Sequence, residues 1–95
     1  MKSVLQHKKE CYVTGQTLGL HEHHVFQGVN RKNSEKRGFK VWLIGYWHTL
    51  SDVTVHMNPN KGLDLELKQK AQEYYEEHYG TREDFIKEFG KNYLD

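Results

Sequence analysis

Residues 18–26 read Leu-Gly-Leu-His-Glu-His-His-Val-Phe and hold three histidines within four residues. The stretch is extended in character and ends on apolar residues. Residues 40–44, Lys-Val-Trp-Leu-Ile, form the clearest strand by β-branched and aromatic content. The two stretches together predict a β-hairpin. Because neighbouring residues of a strand point to opposite faces, His23 and His24 are expected to face different ways.

The connection between the two predicted strands, residues 27–38, is polar and too long for a tight turn. Ser34 followed by Glu35 is typical of a capped helical turn inside such a loop. The region from residue 28 to residue 40 holds Glu35 as its single acid against five basic residues, which are Arg31, Lys32, Lys36, Arg37 and Lys40. Such a run is usually a solvated loop, but its position beside the histidines makes it a candidate for binding phosphates.

The last third of the chain predicts two helices. Apolar residues recur at helical spacing from about residue 63 to residue 79 and form a buried stripe of Leu63, Leu67, Ala71 and Tyr74 or Tyr75. Gly80 ends this helix, and Thr81 begins a short capped helix that carries Phe85 and Phe89. The expected fold class is α+β, in a single domain that covers residues 1–95.

Composition limits the class of protein. Of the 95 residues, 36% are apolar and 13% are aromatic, which indicates a thin interior rich in rings and favours a compact α+β domain over a sandwich. The formal charge of +1 excludes a strongly basic protein that coats nucleic acid. A single cysteine, Cys11, excludes an internal disulfide. With no signal peptide and no apolar stretch of membrane length, it indicates a cytoplasmic protein with no membrane role.

Histidine is the most informative residue type. The chain has seven, and His21, His23 and His24 fall within four residues. Histidine at that density indicates metal binding. His48 directly follows the aromatic pair of residues 46 and 47, at the end of the second predicted strand. Three other positions are assigned no role, namely His7, His21 and His78.

Four segments resemble small phage proteins related to the recombination-enhancement nucleases, within the HNH (ββα-metal) endonuclease family. They are residues 22–28 (EHHVFQG), residues 30–36 (RK and SEK with Asn30 in front), residues 55–58 (VHMN) and residues 89–94 (FGKNYL). In that family a metal ligand directly precedes a general-base histidine on the first strand, and a second ligand histidine follows the second strand about two dozen residues later. His23, His24 and His48 match this order and spacing.

The resemblance covers nearly the whole chain. It implies a single HNH-like domain with a small ββα-metal core, whose hairpin has long loops and is followed by a long helix and a short C-terminal helix. It also implies a phage-encoded, metal-dependent DNA endonuclease in the host cytoplasm. A divalent cation would lie between His23 and His48, with His56 as a third ligand, and His24 would deprotonate the attacking water.

The implied metal is Mg²⁺ or Mn²⁺, with Ni²⁺ and Zn²⁺ as alternatives because histidine ligands suit them. His56 is open to three readings, as a ligand, a phosphate contact or a strand histidine, and Asp52 is a weaker candidate for the same position. Arg31 is expected near the scissile phosphate. The residues expected to hold DNA are Arg31, Lys32, Lys36 and Arg37.

The chain departs from the family in its cysteines. Many HNH domains bind a structural zinc through two cysteine pairs, whereas here Cys11 stands alone and Thr14 occupies the place of its partner. A four-cysteine zinc site is therefore excluded. We expect Tyr12, Trp47 and their neighbours to replace the zinc by packing into a dry core.

The second departure concerns the asparagine that names the motif. Its place falls near Gly38 or Phe39, and neither side chain binds a metal or orients a base. Asn30 and Asn33 are the remaining nearby amides, and Asn30 is the candidate for the site. Both departures favour an alternative: a catalytically degenerate HNH-fold protein that binds DNA or inhibits a protein partner. A host or phage recombination or replication protein is the candidate partner.

Overall fold

The structure, a computed structural model, describes residues 2–48 and 60–94. Two strands are present in this part of the chain, β1 (Leu20–His24) and β2 (Lys40–Ile44). The helices are α1 (Arg31–Arg37), α2 (Gly45–His48), α3 (Gly62–His78) and α4 (Arg82–Phe89), and a 3₁₀ turn, Gly28–Asn30, precedes α1. The fold class is α+β, as the sequence predicts.

The hairpin predicted from the strand patterns is confirmed. Strands β1 and β2 pair antiparallel, with Leu20 opposite Ile44 and His24 opposite Lys40. Their connection is not an irregular loop, because it holds the 3₁₀ turn and α1. Gly38 ends α1 in the left-handed conformation, at φ +75°, which returns the chain into β2.

Four phenylalanines form the centre of the core. The rings of Phe26, Phe85 and Phe89 lie with centroids 4.4 to 5.9 Å apart, and Phe39 lies 5.7 Å from Phe89. All four are at most 2% exposed. Burying one such ring stabilises a fold by roughly 1.5–3 kcal/mol, so this cluster holds the hairpin against the C-terminal helix.

The two predicted C-terminal helices are confirmed. The predicted stripe of α3 lies in the core, with Leu67, Ala71 and Tyr75 buried. Thr81 caps α4 through a capping box: its side chain accepts the Asp84 backbone N–H, and the Asp84 carboxylate accepts the Thr81 backbone N–H. Both helices therefore begin or end where local sequence signals place them.

The single cysteine of the chain, Cys11, is 1% exposed. Its sulfur accepts a hydrogen bond from the backbone N–H of Ile44 at 3.5 Å. Tyr12 and Trp47, which the sequence predicts to pack inward, are partly buried and pack against the core. Packing is incomplete there, because Tyr12, Trp47 and Leu63 border a surface hollow of about 340 Å³.

Candidate functional site

Strand β1 distributes its polar side chains over two faces of the hairpin. Alternation puts His21 and His23 on one face and Glu22 and His24 on the other. His23 lies opposite Val41, a core residue, whereas His24 lies opposite Lys40. Both adjacent histidines are nevertheless buried, at 1% and 6% exposure. The strand therefore supports two distinct groups of polar side chains.

The first group, which we name the histidine cluster, consists of His21, His23 and His48. The His48 ring lies 5.3 Å from that of His23 and 5.0 Å from that of His21, centroid to centroid. The Nδ1 atoms of His21 and His48 are 2.9 Å apart. His48 reaches this position because α2 is a single turn that follows β2 directly, so its last residue lies beside β1.

His21 was assigned no role from the sequence. Its side chain is exposed, as expected for that position, yet it contacts His48. The missed signal is its spacing of two residues from His23, which places both on one face of a strand. The structure thus brings together the two predicted metal ligands that it describes and adds a third imidazole.

The second group, which we name the carboxylate cluster, surrounds His24. The Nε2 atom of His24 lies 2.9 Å from an Oε1 of Glu35 and 3.9 Å from Glu22. The Lys40 ammonium donates to both oxygens of Glu35 at 3.0 Å and lies 3.5 Å from Glu22. Helix α1 carries Glu35 to this place from eleven residues along the chain. Glu35 was interpreted from the sequence only as part of a helix cap.

Ligand atoms of Glu22, His24 and Glu35 lie within 4.8 Å of one another, which is close enough to hold a cation. The position between the carboxylates, however, already holds a cation. The Lys40 side chain is 12% exposed and its ammonium contacts both acids. A metal ion there would have to displace a largely buried lysine, whereas the contact of Glu35 with His24 is already in place.

The predicted DNA-binding residues of α1 separate into two kinds. Arg31, Lys32 and Lys36 are exposed on the helix surface. Arg37 is not available in the same way, because its guanidinium makes two hydrogen bonds to Glu88, at 2.7 and 2.8 Å. These bonds to Glu88 raise the pKa of Arg37. Arg37 therefore joins α1 to α4. Its guanidinium is engaged by Glu88, unlike the exposed side chains of Arg31, Lys32 and Lys36.

The predicted asparagine of the site is also engaged elsewhere. Asn30 donates through Nδ2 to the backbone carbonyl of Phe89 at 3.0 Å, and Asn33 donates to that of Glu88 at 3.3 Å. Both amides therefore hold this part of the connection against α4, Asn30 from the 3₁₀ turn and Asn33 from α1. At the place where the resemblance predicts an asparagine, Gly38 and Phe39 are buried and offer no polar side chain.

Two further predicted positions, His56 and Asp52, lie outside the described residues. Within residues 2–48 and 60–94, no helix combines the length and apolar character that crossing a membrane requires. No protein-family model, curated protein or solved structure matches this chain.

Proposed function

We propose that this chain is a metal-dependent endonuclease of the HNH type that hydrolyses DNA phosphodiester bonds. The observation that carries the proposal is the pair of clusters on β1. Three imidazoles meet on one face, and the adjacent His24 is paired with a carboxylate on the other. The order of a ligand histidine followed by a base histidine, with His48 contacting the ligand, matches what the family resemblance implies.

The histidine cluster offers three imidazoles, a ligand type that suits divalent transition metals. The Nδ1 atoms of His21 and His48 are 2.9 Å apart, a hydrogen-bond distance, so an ion held by both rings would replace the proton that they share. Imidazole ligands favour Mn²⁺, Ni²⁺ or Zn²⁺ over Mg²⁺, which prefers oxygen. A bound ion supplies Lewis acidity that stabilises charge on the phosphate and the leaving oxygen.

His24 serves as the general base in this proposal. A carboxylate only accepts hydrogen bonds, so Nε2 carries the hydrogen in its bond to Glu35, and Nδ1 is left to accept the proton of the attacking water. Glu35 then stabilises the imidazolium that forms, and Lys40 balances the charge of Glu35. Glu35 thereby takes over the orienting role for which Gly38 and Phe39 have no suitable side chain. Arg31 holds the phosphate on the exposed face of α1.

Nicking of supercoiled plasmid in Mn²⁺ or Mg²⁺ tests the proposal. His24→Ala should lower the rate by about 10² to 10⁴-fold, the usual contribution of a general base. Glu35→Gln should lower the rate while leaving metal affinity unchanged. His78→Ala is the matched control, since His78 is an exposed histidine on α3. Nicking that persists unchanged in His24→Ala would refute the assignment.

Metal binding is tested separately by titration calorimetry with Mn²⁺, Ni²⁺ and Zn²⁺. We expect binding to be lost in a variant that carries both His23→Ala and His48→Ala, and to persist in one that carries both Glu22→Gln and Glu35→Gln. The opposite result would transfer the metal to the carboxylate cluster. His21→Ala should weaken binding without abolishing it, because the other two imidazoles remain.

The second candidate function is a degenerate HNH-fold protein that binds DNA or inhibits a protein partner. The observation in its favour is that alternation along β1 puts the ligand His23 and the base His24 on opposite faces of the hairpin. Metal binding by the histidine cluster without any nicking of plasmid would support this second function over the first.

A further inference from the structure

We propose that a groove binds an unpaired DNA strand. The groove lies between the amino-terminal segment, residues 2–9, and the outer face of the hairpin, which is the face that carries Glu22, His24 and Trp42. The groove has a volume of about 700 Å³, and we name it the N-terminal groove. The inference names the substrate class of the proposed endonuclease, DNA with a single-stranded stretch, and in that respect rests on the proposed function. Strand binding itself is measured without cleavage, so the two proposals can fail independently.

The wall of the groove is an ordered part of the fold. The backbone N–H of Val4 donates to the carbonyl of Gly38 at 2.9 Å, and the backbone N–H of Trp42 donates to Oε1 of Gln6 at 2.8 Å. The Ser3 hydroxyl donates to the carbonyl of Lys40, and Leu5 is 8% exposed. Residues 2–6 therefore lie along β2 and hold the following lysines in place.

The charge of the groove suits a polyanion. Lys2, Lys8, Lys9 and Lys40 border it, and Glu22 is the one carboxylate among its lining residues. Lys40 is engaged by Glu22 and Glu35, but Lys2, Lys8 and Lys9 are exposed. Three exposed ammonium groups along one wall provide the electrostatic track that single-stranded DNA requires.

The floor of the groove supplies an aromatic surface. Trp42 is half-buried on the outer face of β2, and the Lys9 ammonium lies 4.7 Å from the centre of its ring. A base that stacks on this ring would replace a flexible lysine, which then remains within reach of the adjoining phosphate. Stacking on a side chain requires a base that is free of its own stack, so the ring favours unpaired over duplex DNA.

The groove also adjoins His24, the candidate general base. Glu22 and Lys40 belong both to the lining of the groove and to the carboxylate cluster around His24. A strand that lies in the groove would therefore run toward His24. The exposed residues Arg31, Lys32 and Lys36 on α1 would be left to hold neighbouring duplex.

The test is fluorescence anisotropy with a labelled oligothymidylate of about 16 nucleotides, in EDTA. A variant with Lys8→Gln and Lys9→Gln should bind at least about tenfold more weakly, and the slope of log affinity against log salt should fall by about 1.4. Trp42→Leu should weaken binding by about 5- to 150-fold. The matched control carries Lys87→Gln and Lys91→Gln, with the same loss of two exposed charges on α4 and just after it, and should bind as the unmodified protein does.

Three results would overturn the proposal: binding unchanged by the Lys8 and Lys9 substitutions, an equal loss in the Lys87 and Lys91 control, or equally tight binding of a duplex of the same length. If Trp42→Leu fails to fold, the lysine variant still decides, because Lys8 and Lys9 are exposed. Groove-dependent binding without plasmid nicking would uphold the groove and refute the endonuclease. If nicking depends on His24 but strand binding does not depend on Lys8 and Lys9, the endonuclease is upheld and the groove is refuted.

Discussion

Substitution of Gly38 by alanine tests how the amino-terminal segment is attached to the fold. Gly38 has φ +75°, and a Cβ built on it would lie 2.6 Å from the carbonyl oxygen of Lys2 and 3.1 Å from a methyl of Val4. The nearest atom belongs to the backbone, so it cannot rotate away. Gly90 is the matched control, since it also caps a helix with positive φ, at +87°, and has nothing within 4 Å of the same position.

The expected losses of unfolding free energy follow from these contacts. A left-handed alanine costs about 1–2 kcal/mol, and this is the whole expected effect of Gly90→Ala. Gly38→Ala adds an overpacking cost of about 1–3 kcal/mol, because the segment must shift. It also strains the Val4 to Gly38 hydrogen bond, which is worth roughly 0.5–1.5 kcal/mol. We expect a total loss of about 2–6.5 kcal/mol for Gly38→Ala, where the upper end includes complete loss of the hydrogen bond.

Urea unfolding followed by circular dichroism measures both losses. Binding of oligothymidylate adds a second readout, because displacement of residues 2–4 should weaken strand binding in Gly38→Ala and leave it unchanged in Gly90→Ala. Equal loss of stability in the two variants would refute the reasoning, since the close approach of the segment would then carry no energetic weight. Unchanged strand binding in a folded Gly38→Ala protein would argue that the segment does not form the groove.

Three further predictions concern stability. Ser34→Ala should cost about 1–3 kcal/mol in urea unfolding, because the buried hydroxyl donates to the Phe39 carbonyl and accepts the Phe26 N–H, which would lose its partner; a loss below 0.5 kcal/mol would contradict this. A double-mutant cycle of Arg37→Met and Glu88→Gln should give a coupling of about 1–3 kcal/mol, and no coupling would mean that the pair contributes nothing. Hydrogen bonds from the backbone and side chain of Thr81 lower the pKa of Asp84, so its contribution is complete above the ordinary carboxyl pKa and is lost as pH falls through the lower folded value. Asp84→Asn should therefore flatten the acid limb of a stability curve, and an unchanged limb would count against the cap.

Most of the secondary structure could be predicted from the sequence because the signals are local. The β-branched and aromatic content of residues 40–44 predicts β2, and the spacing of apolar residues predicts the buried stripe of α3. The Thr81 cap and the Gly80 stop are signals of a few residues each. Helix α1 was less clear, since a short polar segment is held as a helix mainly by its contacts with the rest of the fold.

The candidate site was predictable only in part. Strand alternation predicts that His23 and His24 face apart, and this follows from the chain itself. The partner of His24 did not follow, because Glu35 reaches it only once α1 folds back over the end of the hairpin. The pairing of His21 with His48 depends likewise on the single turn of α2 after β2.

The sequence predicts both strands, α3, α4, the two faces of β1 and the set of histidines and basic residues available to the site. Which of these side chains come together depends on the tertiary structure. From the sequence, Arg37 and Asn30 are candidates for the site just as Arg31 is. In the structure both are held by contacts with α4, across 51 and 59 residues of sequence. Contacts between residues so far apart in sequence depend on how the helices pack against the core. The spacing of residues along the chain does not predict that packing.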